Sequence, residues 1–167
     1  MNLNNMRIGH GYDVHKFADQ FDEKKPLILA GVQLDERLSL LAHSDGDLVL
    51  HAICDALLGA MGAGDIGEHF PDTDADFAGI SSVKLLAEVL ALVASKNMQV
   101  LNIDVTVVAQ TPKLSHHRKA MVAKLSELLS LPGDRVNLKA TTTEGLGPIG
   151  RKEGIACHAV TLLVSND

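Results

Sequence analysis

Ala42-His43-Ser44-Asp45-Gly46-Asp47-Leu48-Val49-Leu50-His51 is a polar loop that runs directly into a helix. Val49, Ala52, Ile53, Ala56, Leu57 and Ala60 recur at the spacing of one buried helical face. Asp45 or Ser44 is placed to cap a helix starting near Gly46, and Gly59, Gly62 and Gly64 end it. His51 and Asp55, one turn apart, share another stripe of that helix. Upstream the period changes to two. From Met6 to His15, Arg7, Gly9, Gly11, Asp13 and His15 point one way and Ile8, His10, Tyr12 and Val14 the other, as in a strand.

The rest of the chain continues this alternation of strand and helix. Residues 16–26 read as a charged loop, Leu27 to Val32 as a second strand, and Asp35-Glu36-Arg37 as a turn. Asp65 to Asp74 is too acidic and too rich in Gly and Pro for regular structure. A second helix runs from Ser81 or Ser82 to about Lys96, with Leu85, Leu86, Val89, Leu92 and Val93 apolar. Val100 to Gln110 is a strand, and Pro112 breaks it. A third helix with Met121, Leu125, Leu128 and Leu129 ends at Pro132-Gly133. Strands Val136 to Thr142 and Ile155 to Val164 flank a turn holding Gly145, Gly147 and Gly150. This order predicts one domain over residues 1–167, with 1–5 a flexible tail. The class is α/β, a two-layer sandwich with helices on one face of a mixed, four-stranded sheet. The other sheet face would be open in a monomer, which predicts self-association.

Composition narrows the function. With 3% aromatics and no Trp, the core must be aliphatic, and there is no platform for stacking bases. A net charge of −6 lacks the basic footprint of a nucleic-acid binder, whereas a small phosphorylated ligand needs only a metal and a few N–H groups. Cys54 and Cys157 each sit in an apolar run and read as buried, reduced thiols. No stretch reaches membrane-spanning length and the first residues lack a signal-peptide core, so the expected location is cytoplasmic.

Three clusters carry chemistry. Asp13 and His15 project from one strand face and His51 from the helix, a carboxylate and two imidazoles of the kind a catalytic zinc site uses with a fourth position open. Asp55 is a candidate to orient the His51 ring, a role a backbone carbonyl fills equally well. Taken alone, the Asp13 and His15 pair also fits an ordinary polar strand face, and His51 a satisfied core or half-buried histidine. The crowding of His43, Asp45 and Asp47 at the same helix favours a metal. His43 and Ser44 lie where a helix start attracts anions, although capping by Ser44 and Asp45 explains them equally well. Thr141-Thr142-Thr143-Glu144 supplies three hydroxyls and a carboxylate suited to phosphate oxygens and a bridging Mg²⁺. Lys113 reads as a phosphate contact or a solvated side chain, and His116-His117 as an exposed pair without a role.

Gly9-His10-Gly11-Tyr12-Asp13-Val14-His15, Ala42 to Asp47 with His51, Gly64-Asp65-Ile66-Gly67, Phe70-Pro71-Asp72-Thr73-Asp74 and Lys139-Ala140-Thr141-Thr142-Thr143-Glu144 occur in this order. In that set the chain resembles the 2-C-methyl-D-erythritol 2,4-cyclodiphosphate synthase family of the non-mevalonate isoprenoid pathway, over nearly all of its length after Met6. The resemblance implies a chorismate-mutase-like fold and a homotrimer with active sites between subunits. It implies a lyase that cyclises 4-diphosphocytidyl-2-C-methyl-D-erythritol 2-phosphate with release of CMP. Zinc would be held by Asp13, His15 and His51, and Mg²⁺ or Mn²⁺ by Glu144, with Thr142 beside it. His43, Ser44, Asp65, Ile66, Gly67 and Asp72 would bind the diphosphate and methylerythritol parts. Ala109, Lys113, Leu114 and Ser115 of a neighbouring subunit, with Ala140, Thr141, Thr142 and Thr143, would hold the cytidine part. Arg151 would line an apolar channel at the trimer axis. Pro148 and His158 stand there where the family has an aromatic and an acidic residue, which counts against an isoprenoid diphosphate in that channel. No membrane or nucleic-acid partner is implied.

Overall fold

The computed structural model describes residues 5–34, 36–71 and 79–165; of the expected tail only Asn5 is among them, and Asp72 and its neighbours to residue 78 lie outside them. Strands β1 (Met6–Lys16), β4 (Met98–Val108), β5 (Val136–Thr141) and β6 (Gly154–Ser165) form one sheet in the order β1-β6-β4-β5. β6 runs antiparallel to both its neighbours, and β4 runs parallel to β5. The sheet is therefore mixed and four-stranded, as expected.

The expected second strand is instead a tight hairpin, β2 (Ile28–Leu29) and β3 (Val32–Gln33), forming a sheet of its own. Ala30 and Gly31 both have positive φ, 56° and 73°, the turn geometry that reverses a chain in two residues. A non-glycine residue tolerates that conformation here because both turn N–H groups donate to the Asp47 carboxylate, at 2.9 and 2.6 Å. Leu27-Ile28-Leu29 reads as a continuous strand only because the anchor lies far along the chain.

Helix α1 (Leu48–Met61) starts two residues later than expected. Asp47 is its cap, accepting from Val49 and Leu50 N–H as well as from the hairpin. Fully buried, that carboxyl is pushed up to about 6 by desolvation, and the four N–H donors keep it from rising further. Gly62 ends the helix in the left-handed conformation. The expected core face is buried, and so are Leu48, Leu50, Cys54 and Leu58, so α1 is an interior helix. A four-residue helix, α2 (Ile66–His69), occupies part of the loop expected to be irregular, because Asp65 caps it by accepting from Glu68 N–H. Helices α3 (Ser82–Ser95) and α4 (Arg118–Leu129) bury the apolar stripes expected of them, Leu92 and Leu128 only partly. A last short helix, α5 (Gly147–Gly150), precedes β6. His117 is not an exposed partner of His116: its Nε2 lies 3.1 Å from Glu36 Oε1.

The position of α1 is set by two glycines. A Cβ on Gly11 would lie 1.9 Å from the Ala52 carbonyl oxygen, and one on Gly9 would lie 1.8 Å from that of Ala56. The strand backbone therefore lies directly on the helix backbone, over the Ala52, Ala56 and Ala60 edge. Outward from the same strands, Ile8, Tyr12, Val14 and Val160 leave apolar area exposed on the sheet face opposite the helix.

Gly11→Ala is expected to destabilise the protein by about 3 kcal/mol or more, because the intruding methyl meets backbone that cannot rotate away. Urea unfolding of the two proteins checks this; a loss under about 1 kcal/mol would show that α1 can shift without penalty.

Candidate metal centre

β1 and α1 bring Asp13, His15 and His51 together at one end of the sheet. Among the described residues these three form the one group of His, Cys, Asp or Glu side chains able to share an ion. Asp13 Oδ2 lies 3.0 Å from His15 Nε2 and 3.0 Å from His51 Nδ1, and the two nitrogens are 3.3 Å apart. Ligand atoms at about 2.0–2.1 Å from a tetrahedral zinc are separated by about 3.3 Å, so this triangle fits one face of such a coordination sphere. The site is partly sheltered, the three side chains being 12–23% exposed. The strand period explains why Asp13 and His15 act as a pair, and Gly11, two residues earlier on the same face, explains how close His51 can come.

The electrostatics suit a cation. Burial pushes the Asp13 carboxyl up, but the hydrogen bonds and charges of His15 and His51 outweigh it and hold that group well below the usual carboxylate range. Its second oxygen, Oδ1, accepts from Val14 N–H at 2.8 Å. For His51 burial favours the neutral ring, and the hydrogen bond and charge of Asp13 override this, so its pKa is raised.

The ring of His51 is oriented from an unexpected direction. Asp55 is not its partner: Asp55 accepts from Ile66 N–H at 2.8 Å and so pins α2 to α1. His51 Nε2 instead lies 2.9 Å from Ser82 Oγ and 3.2 Å from Ser44 Oγ, and Ser82 hydrogen-bonds the Asp45 carboxylate through both its N–H and its hydroxyl. Asp45 is therefore a tie to the start of α3 and not the α1 cap. With a metal on Nδ1, the Nε2–H would donate to Ser82, whose hydroxyl is already aimed at Asp45. The paired serines Ser81-Ser82 are the only sequence signal for this, and they read as alternative caps; Ser81 alone caps α3.

The triad forms the floor of a cleft of about 370 Å³, whose walls include Leu41, His43, Ser44, Asp55, Ile66, Gly67 and Phe70. His43, Ser44, Ile66 and Gly67 thus line the same cleft as the Asp13, His15 and His51 group, while Asp65 is at the α2 cap. A separate hollow of about 660 Å³ collects Ala109, Lys113, Leu114, Ser115, Ala140, Thr141, Thr142 and Glu144. There Thr142 Oγ1 donates to Glu144 Oε1 at 3.1 Å. Thr143 is turned away, donating to Leu146 O, and Arg151 pairs with Glu153 on the surface. One chain does not bring Glu144 to the triad. Val14 pairs with Ala156, Ala156 with Val108 and Val108 with Thr141, so both clusters lie at the same end of the sheet but on its opposite edges. Three strand spacings separate those edges by about 14 Å.

Residues 6–164 match the YgbB family. The chain is 55% identical over 159 residues to the 2-C-methyl-D-erythritol 2,4-cyclodiphosphate synthase of Pseudoalteromonas atlantica, covering 95% of this chain and 96% of that one. Its fold matches the Plasmodium falciparum IspF structure solved as a CDP complex, with a TM-score of 0.84 and 38% identity over 99% of this chain and 100% of that one. It also matches the bifunctional IspDF of Campylobacter jejuni, with a TM-score of 0.90 and 45% identity, covering 97% of this chain and 43% of that longer one.

His51→Ala should remove one corner of the triangle and leave the purified protein without stoichiometric tightly bound metal. Elemental analysis by mass spectrometry checks this, and full retention of metal would refute the ligand set. Metal affinity should also fall as pH drops, because the raised pKa of His51 means that a proton competes for Nδ1 already above pH 6.5. Asp13 stays ionised through this range and adds no competition. Competition with a chelator between pH 8 and 6 should show a loss of roughly tenfold per unit once His51 is mostly protonated.

Proposed function

The chain belongs to the YgbB family, that of the 2-C-methyl-D-erythritol 2,4-cyclodiphosphate synthases, and from that premise we propose how it makes this cyclic diphosphate in the non-mevalonate pathway. The substrate is 4-diphosphocytidyl-2-C-methyl-D-erythritol 2-phosphate and the second product is CMP. The observation that carries the reading is the Asp13–His15–His51 triangle, 3.0–3.3 Å on a side, at the floor of a cleft walled by His43 and Ser44.

In the reaction an oxygen of the 2-phosphate forms a bond to the β-phosphorus. The bond from that phosphorus to the oxygen bridging it to the α-phosphate breaks, and CMP leaves with the oxygen and its electron pair. A phosphomonoester is already largely dianionic at neutral pH, so no side chain need remove a proton. Asp13, His15 and His51 would hold zinc and Glu144 a Mg²⁺ or Mn²⁺, ions that when bound would supply positive charge to the diphosphate oxygens. The chain's own groups position the reactants: His43 and Ser44 bind the diphosphate, and Ile66 and Gly67 wall the methylerythritol part. Asp72 is assigned to its hydroxyls. Ala109, Lys113, Leu114, Ser115, Ala140, Thr141 and Thr142 enclose the cytidine part, with Thr143 bracing the turn that carries Glu144. Holding the 2-phosphate in line with the leaving oxygen is the main contribution such a site can make, since phosphoryl transfer depends chiefly on placement and charge.

Ions serving one diphosphate lie only a few ångströms apart, about 4 Å in a two-metal site, and the roughly 14 Å between the two edges of one sheet is too far. The reading therefore requires the β1 edge of one copy to meet the β5 edge of the next. Such a head-to-tail contact closes into a ring, here a homotrimer in a chorismate-mutase-like arrangement, and the apolar stripe of Ile8, Tyr12, Val14 and Val160 offers a face for it to bury. An isoprenoid diphosphate is not assigned to the ring axis, since Pro148 and His158 depart from the family there. Cytoplasmic location belongs to the same reading, as Cys54 and Cys157 are free thiols whose pKa burial raises.

Incubation of the substrate with the protein and Mg²⁺, followed by ³¹P NMR, should show the cyclic diphosphate and CMP; a linear product or inorganic phosphate would overturn the reading. Glu144→Gln should lose most turnover at limiting Mg²⁺ while keeping the zinc. Co-expressing His51→Ala with Glu144→Gln tests the shared site. Random assembly should restore about a quarter of the wild-type activity, because intact halves then meet in one site in four. No restored activity in mixed oligomers would place the whole site within one chain.

A further inference from the structure

The substrate brings more negative charge than the residues around the triad are built to receive. A diphosphate diester carries about two charges and a phosphomonoester nearly two more. Among the described residues, no Lys or Arg lines the cleft above Asp13, His15 and His51, and two of its lining groups, Asp13 and Asp55, are carboxylates. The ions assigned to the site serve the diphosphate. Among the described residues of that cleft, no side-chain cation is left for the 2-phosphate.

A second cleft, of about 490 Å³, adjoins the first and shares its wall of Leu41, Ala42 and His43. Its cation is Lys25, whose Nζ donates to Ala42 O at 3.0 Å on that shared wall, leaving two of its N–H donors unused by this bond. The loop carrying Lys25 is clamped. Lys25 N–H donates to Asp22 O at 2.9 Å, and Asp22 N–H donates to the hydroxyl of buried Ser39, also at 2.9 Å. Asp22, the other charged group in this cleft, turns Oδ1 to Lys24 N–H at 2.9 Å.

We propose that this second cleft is a subsite for the substrate's 2-phosphate, with Lys25 as the residue that recognises it. The assignment rests on the cyclising reading above. The two clefts meet at Leu41, Ala42 and His43, so a phosphate held by Lys25 at that shared rim borders the diphosphate over the triad, and attack requires its oxygen to approach phosphorus to about 3–3.5 Å. An ammonium that holds two of the three terminal oxygens orients the third, and it relieves the repulsion between the two anionic groups as they converge. The attacking oxygen gives up charge as the bond forms, so Lys25 helps the bound substrate at least as much as the transition state. Its contribution should appear in KM and not in kcat.

The test uses the zinc-loaded enzyme and two ligands, the substrate and the same molecule lacking the 2-phosphate. For Lys25→Ala, KM for the substrate should rise about tenfold, as expected for a charge-assisted contact open to solvent, with kcat within about twofold of wild type. Calorimetry without added Mg²⁺ should show a similar loss of affinity for the substrate and none for the ligand lacking the phosphate. Lys25→Arg should recover most of it. Equal losses for both ligands would mean that Lys25 merely braces the loop, and unchanged binding of both would mean that it faces solvent; either overturns the assignment. A wild-type enzyme that released CMP without a cyclic product would overturn the cyclising reading itself, whereas normal cyclisation with an unaltered Lys25→Ala variant would overturn the subsite alone.

Discussion

The strand backbone of Gly9 and Gly11 lies against the helix backbone at Ala52 and Ala56 with no room for a methyl group between them. Side chains elsewhere in the core keep helix and sheet roughly 10 Å apart, the ordinary separation of packed layers. Here the separation collapses because both surfaces are made of the smallest residues, and backbone meets backbone. This brings His51, one residue before Ala52, to the strand residues Asp13 and His15 that follow Gly11 on the same face. A triangle of ligand atoms 3.0–3.3 Å on a side depends on that approach, since a shift of 1 Å would open it beyond the span of one ion.

Polar groups inside the fold do a related job. Asp47 is fully buried yet surrounded by four N–H donors, two from the hairpin turn and two from the start of α1, so one carboxylate fixes two elements to each other. Asp45, Ser82 and His51 form a second tie, between the loop, α3 and the metal site. Burying a carboxylate such as that of Asp47 is costly unless its lone pairs are satisfied, and its four N–H donors satisfy them. The acidic cluster near the helix start therefore builds the scaffold as much as it serves the ligand. In the proposed reading, with the chain at net charge −6, bound ions and Lys25 would supply the positive charge that receives the phosphates.

The sheet order places the two clusters of candidate residues on opposite edges, where one chain does not bring them together. β1 and β5 are the edge strands, and each ends in a cluster of candidate residues at the same end of the sheet. In the proposed assembly a ring of copies would turn two distant half-sites into several complete ones. It also covers an apolar face that a monomer leaves in water, so packing and catalysis would favour the same assembly.

Much of this was legible in the chain itself. Period two in Met6–His15 and period 3.6 after Asp47 identify the strand and the interior helix, because side-chain direction in each is fixed by local backbone geometry. The grouping of Asp13, His15 and His51 follows from those directions with the motifs around them. Local geometry does not reach across the chain, and there the structure decides. The hairpin at Ala30-Gly31 exists because Asp47 receives its N–H groups, and Asp55 faces Ile66 while Ser82 takes its place beside His51. The separation of Glu144 from the triad is set by a strand order that no single segment encodes. Residue types and spacing determine which groups can meet an ion or a phosphate; only packing between distant elements determines which of them do, because a hydrogen-bond partner is chosen by position in space.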